Sequence, residues 1–124
     1  MREITNISEL MAELESGSYN YYGLRGAHDS DLDKIGRGYL DCSYVWEDGA
    51  QTDEQLGGTC AIGISDSLAV DEIQKRYGVA FKMYAENGTV LLIADKSQEY
   101  GNDENEVILG SNGCGADIVA IVRL

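Results

Sequence analysis

Proline is absent from this 124-residue sequence. Repeats and low-complexity tracts are absent too, so no stretch reads as an interdomain linker. Basic residues are scarce: 9 Lys and Arg stand against 22 Asp and Glu, a formal charge of −13. A field of that sign repels phosphate backbones, which excludes ordinary binding to DNA or RNA, and it speeds encounter with basic surfaces at low ionic strength. Metal-ligating residues are few. The sequence holds one histidine, His28, and three cysteines, Cys42, Cys60 and Cys114, with no Cys-x-x-Cys pair, so no structural zinc site and no other metal is expected. Long apolar runs are also missing, since none approaches the roughly 20 residues that span a bilayer. The opening MREITNISEL lacks the apolar core of a secretion signal. The expectation is a protein that acts where it is made, in a cytoplasm with reduced thiols, with no membrane partner.

The remaining composition is that of a folded protein. Hydrophobic residues make up 44% and charged residues 25%, near the globular average and unlike a disordered acidic tail. The length fits one domain over residues 1–124, since domains cluster at about 100 to 150 residues. Eight tyrosines accompany one Phe and one Trp. With an apolar body and a polar tip, Tyr suits half-buried positions, pocket walls and contact surfaces.

Hydrophobic periodicity divides the chain into elements. Asn6 precedes Ile7, Leu10, Met11 and Leu14, the stripe of an amphipathic helix, with Glu9 three residues after the cap and Gly17 as a stop. The aromatic run Tyr19–Leu24 predicts a strand that delivers Arg25-Gly26 at its end, and a short helix is expected over Asp31 to Ile35, closed by Gly36 and Gly38. Residues 39–58 hold Trp46, Asp48-Gly49 and Gly57-Gly58 without a sustained period, which predicts a long functional loop or weak hairpin. Thr59–Ser65 reads as a strand, followed by a helix from about Leu68 that Gly78 interrupts. Asn87-Gly88 turns into Thr89–Ala94, the most hydrophobic strand and a central one. A polar loop over Asp95 to Asp103 leads to a strand over Glu106–Leu109, and a turn over Gly110–Gly115 to a last strand over Ile118–Val122. The fold class is therefore α+β, a mainly antiparallel sheet with two to three helices.

Several motifs carry no chemistry. Gly110–Gly115 lacks the Gly-Lys-Ser/Thr ending of a phosphate loop and lies between strands. Asp29, Asp31 and Asp33 alternate as calcium ligands do, but the glycine and distal Glu of an EF-hand loop are missing, so they read as an acidic helix start. A cysteine nucleophile with His28 as its base has nothing in the sequence to bring the two together.

Three strand ends stand in an informative order: Arg25 after the first strand, Thr59 and Ser65 around the second, and Glu104-Asn105-Glu106 opening a later one. Taken singly each is an ordinary surface or strand residue. Together they resemble the layout of ADP-ribosyltransferases of the R-S-E class, and the resemblance covers most of the chain after residue 19. It implies an ADP-ribosyltransferase-like fold and transfer of ADP-ribose from NAD to a side chain of a protein target. Cleavage of the nicotinamide glycosidic bond passes through an oxocarbenium-like transition state, which a carboxylate beside the ribose stabilises. In the resemblance Glu106 takes that role, Arg25 holds the pyrophosphate through bidentate charge-assisted bonds, and Ser65 or Thr59 braces the nicotinamide ribose or Glu106. Glu104 matches the position that selects and activates an arginine acceptor, and Tyr100 the aromatic that shapes the target. The family's middle motif is usually Ser-Thr-Ser, whereas this strand reads Gly-Thr-Cys-Ala-Ile-Gly-Ile-Ser.

A different class of function follows from charge alone. A small, very acidic, tyrosine-rich chain resembles phage-encoded inhibitors of host defences, including anti-CRISPR proteins, which cover basic nucleic-acid channels. That resemblance implies a non-enzymatic nucleic-acid mimic acting in a host cytoplasm on a protein target with a basic surface. A third expectation is a degenerate transferase fold kept as a binding module, with residues 39–58 as its contact surface.

Overall fold

A computed structural model describes residues 1–41, 58–101, 103–110 and 115–124. The elements are β1 (Glu3–Ile4), α1 (Ile7–Glu15), β2 (Tyr21–Gly26), α2 (Asp29–Leu32), a 3-10 turn (Ile35–Arg37), β3 (Thr59–Ile64), α3 (Val70–Val79), β4 (Val90–Asp95), β5 (Gln98–Tyr100), β6 (Glu106–Leu109) and β7 (Asp117–Val122). Seven strands form one sheet in the order β1-β7-β4-β2-β3-β6-β5. All its pairings are antiparallel except that of β1 with β7. With three α-helices among the described residues, the fold is α+β and its sheet mostly antiparallel, as expected from the sequence. No helix among the described residues is long and apolar enough to cross a membrane.

Both faces of the sheet are covered, so β3 and β4 read as continuous apolar runs rather than alternating ones. On the first face Leu24, Ile62, Ile64, Val90 and Leu92 pack against Leu10 and Leu14 of α1 and Ile73 of α3. On the second face Ala61, Leu91, Ile93, Val107 and Leu109 pack with Leu40, beside Leu32 and Ile35 from the α2 region. Adjacent residues of a strand face opposite layers, and this decides where each candidate side chain points.

The first helix forms where its stripe predicts. Asn6 is extended and its Oδ1 accepts the Glu9 N–H at 2.9 Å, satisfying one of the orphan donors of the first turn. Several boundaries differ from the sequence reading. β2 begins at Tyr21 and runs through Gly26, so Arg25 lies inside the strand, paired with Leu91 of β4. The short helix begins two residues early, at Asp29, and Gly38 ends the 3-10 turn at a left-handed φ of 81°. Gly78 does not break α3. The helix continues to Val79 and widens into a π turn over Ala80–Tyr84, at which Ala80 sits beside the backbone of Gly26. The polar stretch after β4 contains β5, held to β6 by pairs from Gln98–Leu109 to Tyr100–Val107. Strand β1, only two residues long, escapes any periodicity rule and docks on β7.

The long segment predicted over 39–58 lies mostly outside the described residues, Trp46 included. Its start is tied down: Tyr39 bridges Asp117, and Leu40 donates its N–H to the Ala116 carbonyl at 2.8 Å.

Candidate functional site

The strands that carry Arg25, Thr59 and Glu106 are neighbours in the sheet, in the order β2, β3, β6. The ladder between β2 and β3 runs from Tyr22–Ile64 to Leu24–Ile62 and ends there, while β2 stays paired with β4 as far as Gly26–Val90. Where the β2–β3 ladder ends, the Arg25 guanidinium donates to the Cys60 carbonyl, Nη1 to O at 2.9 Å. A cleft begins at this point, lined by Arg25, His28, Cys60, Tyr84, Asp103 and Glu106 among others, with a cavity volume of about 30 Å³. That is room for about two water molecules.

Arg25 and Glu106 border this cleft from opposite layers. Glu106 pairs with Ile62, whose side chain belongs to the first face, whereas Arg25 pairs with Leu91, which belongs to the second. The guanidinium therefore meets Asp31 of α2: Nε to Oδ2 is 2.8 Å, and both side chains are 2% exposed. Asp31 also accepts the His28 N–H at 3.0 Å, so one carboxylate fixes both the arginine and the start of α2. This cluster joins residues far apart in importance at the sequence level, where Asp31 read only as part of an acidic helix start. A buried arginine calls for a buried anion, but its identity is set by tertiary placement.

The electrostatics of the cleft are negative. Burial, with the charges of Asp103 and Glu106 behind it, pushes the Tyr84 phenol above the ordinary tyrosine range. His28 contacts Glu86 through Nδ1 at 3.1 Å, and the other Glu86 oxygen accepts the Asp29 N–H at 3.0 Å. The Asp29 N–H bond first, then His28, holds the Glu86 carboxyl below the usual carboxylate range. His28 and Cys60, with no link in sequence, line the same cleft.

The other candidate residues are dispersed. Thr59 is fully buried, and its Oγ1 has no hydrogen-bond partner among the described residues. It pairs with Leu109 on the second face, away from Glu106. Ser65 follows β3 at its far end and shares a 2.7 Å contact with Ser67. It borders a second groove, between the end of α1 and the start of β2. Glu104 lies exposed in the turn before β6, not in the strand, and the following Asn105 adopts a left-handed φ of 64°. Tyr100 is 86% exposed on β5 and pairs with Val107, so it projects from the face opposite Glu106.

No protein-family model, curated protein or solved structure matches this chain. Function therefore rests on the site chemistry and the charge. Among the described residues no cluster of three or more His, Cys, Asp or Glu side chains could hold a metal ion.

The charge has a structural side. Arg2, Arg25, Lys34, Arg37, Arg76 and Arg123 each form an ion pair with a carboxylate of the same chain, namely Glu13, Asp31, Asp41 (twice), Glu72 and Glu3. Among the described residues, six of the sequence's 9 cationic residues are thus paired within the chain, in ion pairs that include five of its 22 acidic residues. The surplus presented to a partner is carboxylate.

Proposed function

We propose that this chain is a non-enzymatic acidic interaction protein that covers a basic surface of a protein partner, such as the nucleic-acid channel of a defence or regulatory protein. The observation that carries the reading is the internal commitment of its cations. With most positive side chains already paired, the chain offers a basic surface many attractive charges and few repulsive ones. The arginine of the candidate site also serves the fold through Asp31, and the cleft beside it has little volume. A polyarginine peptide and a polyglutamate control test the reading by calorimetry. Tight binding to the first that weakens steeply as salt rises from about 0.05 to 0.5 M is expected. Absence of binding at low salt, or binding indifferent to salt, would sink it.

A second reading, an ADP-ribosyltransferase-like fold using NAD to modify a protein target, is favoured by a separate observation. The strands bearing Arg25, Thr59 and Glu106 are adjacent, and Arg25 and Glu106 border one cleft. Labelled NAD incubated with the protein and a cell lysate tests it. Label transferred by the wild type and lost in Glu106→Gln supports an enzyme; no transferred label from either rejects it.

A further inference from the structure

Strand β5 ends the sheet, and its outer edge is paired with no other strand among the described residues. Which backbone groups it presents there follows from the ladder. Just past the strand, the Gly101 N–H donates to the Glu106 carbonyl at 3.0 Å. On the other side of β6 the Gly63 N–H donates to the Asn105 carbonyl at 2.8 Å. Backbone groups alternate in direction along an antiparallel strand, so Glu106 and Ile108 face β5 while Val107 faces β3. With Glu99 paired to Ile108 and Tyr100 to Val107, Glu99 turns its backbone inward, and Gln98 and Tyr100 turn N–H and C=O outward. The edge lacks the usual guards: β5 carries neither proline nor lysine, and its register with β6 is unbroken. Its surroundings are acidic, since residues 95–106 hold five carboxylates and one cation, Lys96. Glu99 and Tyr100 are exposed, on opposite faces of the strand.

We propose that β5 is the docking edge for an extended, basic segment of the protein partner, which adds one further antiparallel strand to the sheet; the inference rests on the interaction reading above. Two residues of that segment bond to Gln98 and Tyr100, and the residue between them lies opposite Glu99. That position is a non-hydrogen-bonded pair, where cross-strand side chains come closest, so a lysine or arginine there meets the Glu99 carboxylate. A β-branched residue on either side covers Gln98 and the Tyr100 ring. A second copy of this chain would set like carboxylates against each other, which disfavours self-pairing.

The test is an NMR titration with the capped peptide Lys-Val-Lys-Val-Lys, the same peptide N-methylated at both valines, and Glu-Val-Glu-Val-Glu. Saturable shifts and slowed hydrogen exchange at the Gln98 and Tyr100 amides are expected with the first peptide alone. N-methylation, which removes the two donors aimed at β5, should weaken binding about tenfold or more, and Glu99→Gln about fivefold. Tyr100→Pro removes an outward N–H and none directed at β6, and should weaken binding in a chain that still folds; if it does not fold, the N-methylated peptide asks the same question of the wild type. Equal binding of the N-methylated peptide, or shifts that leave Gln98 and Tyr100 unmoved, would overturn the assignment. So would a dimer of the free chain, seen by sedimentation and dissolved by Tyr100→Pro. A polyarginine peptide separates the two levels. If it binds with steep salt dependence while the lysine-valine peptide leaves β5 unmoved, only the edge assignment fails. If neither peptide binds at low salt, the interaction reading fails as well.

Discussion

Arg25 and Asp31 form an ion pair in the interior, Nε to Oδ2 at 2.8 Å, with both side chains only 2% exposed. Removing one partner of such a pair strands the other charge away from water, which typically costs about 3–5 kcal/mol. Asp31→Asn, which keeps the shape and removes the charge, is therefore expected to lower unfolding free energy by roughly that amount. The double variant Arg25→Met/Asp31→Leu should recover part of it, because the lone charge is gone while the His28 N–H and the Cys60 carbonyl still lose their partners. Urea denaturation measures both; equal losses in single and double variants would show that the pair is not the unit that matters.

The elements that were legible in the sequence are those with their own periodic signal. The stripe from Ile7 to Leu14 and its Asn6 cap define α1, and the apolar runs at 59–64 and 90–94 define two inner strands. Strand β5 was not legible, because Gln98–Tyr100 is a polar edge strand whose pairing with β6 supplies the order that its side chains do not. For the candidate site, chain order alone does not tell that β3 lies between the Arg25 and Glu106 strands, and the face each side chain takes depends on cross-strand register, which a shift of one residue would reverse. The Asp31 partner of Arg25 and the Glu86 partner of His28 come from segments brought close only by the fold.

Two glycines, Gly26 at the end of β2 and Gly78 within α3, carry opposite expectations. A Cβ at Gly26 would sit 2.5 Å from the Ala80 carbonyl oxygen and 2.6 Å from the Ala85 nitrogen, backbone atoms at the start of the π turn and just after its end. Gly26→Ala should therefore destabilise by about 1–3 kcal/mol, as overpacking does. A Cβ at Gly78 meets nothing within 4 Å, and alanine there restores helix propensity, so Gly78→Ala should stabilise by roughly 0.5–1 kcal/mol. Thermal unfolding of the two variants side by side decides the matter, and a Gly26→Ala variant as stable as wild type would contradict the close approach.

Thr59 presents a hydroxyl that is buried and without a hydrogen-bond partner among the described residues. An unsatisfied buried polar group costs about 1–3 kcal/mol, whereas an apolar group of the same shape costs nothing of the kind. Thr59→Val is accordingly expected to raise the unfolding free energy by about 1 kcal/mol. A measurable loss of stability would instead mean that this oxygen has a partner in solution, such as an ordered water.

Alkaline behaviour follows from Tyr19. Burial, then the hydrogen bond to Asp117 and its negative charge, push the Tyr19 phenol up to about 12 from an ordinary value of 10. The folded state thus binds the phenolic proton more tightly than the unfolded chain does. The resulting stability is fully present below pH 10 and is lost as pH rises from there through 12. Ultraviolet titration of phenolate absorbance should lose a late-ionising tyrosine in Tyr19→Phe, and the fall of stability above pH 10 should become shallower in that variant. Asp117→Asn removes the charge and one strong acceptor while leaving the burial, so Tyr19 should then titrate between the two values. A Tyr19 that ionises at the ordinary value in the folded wild type would refute the assignment.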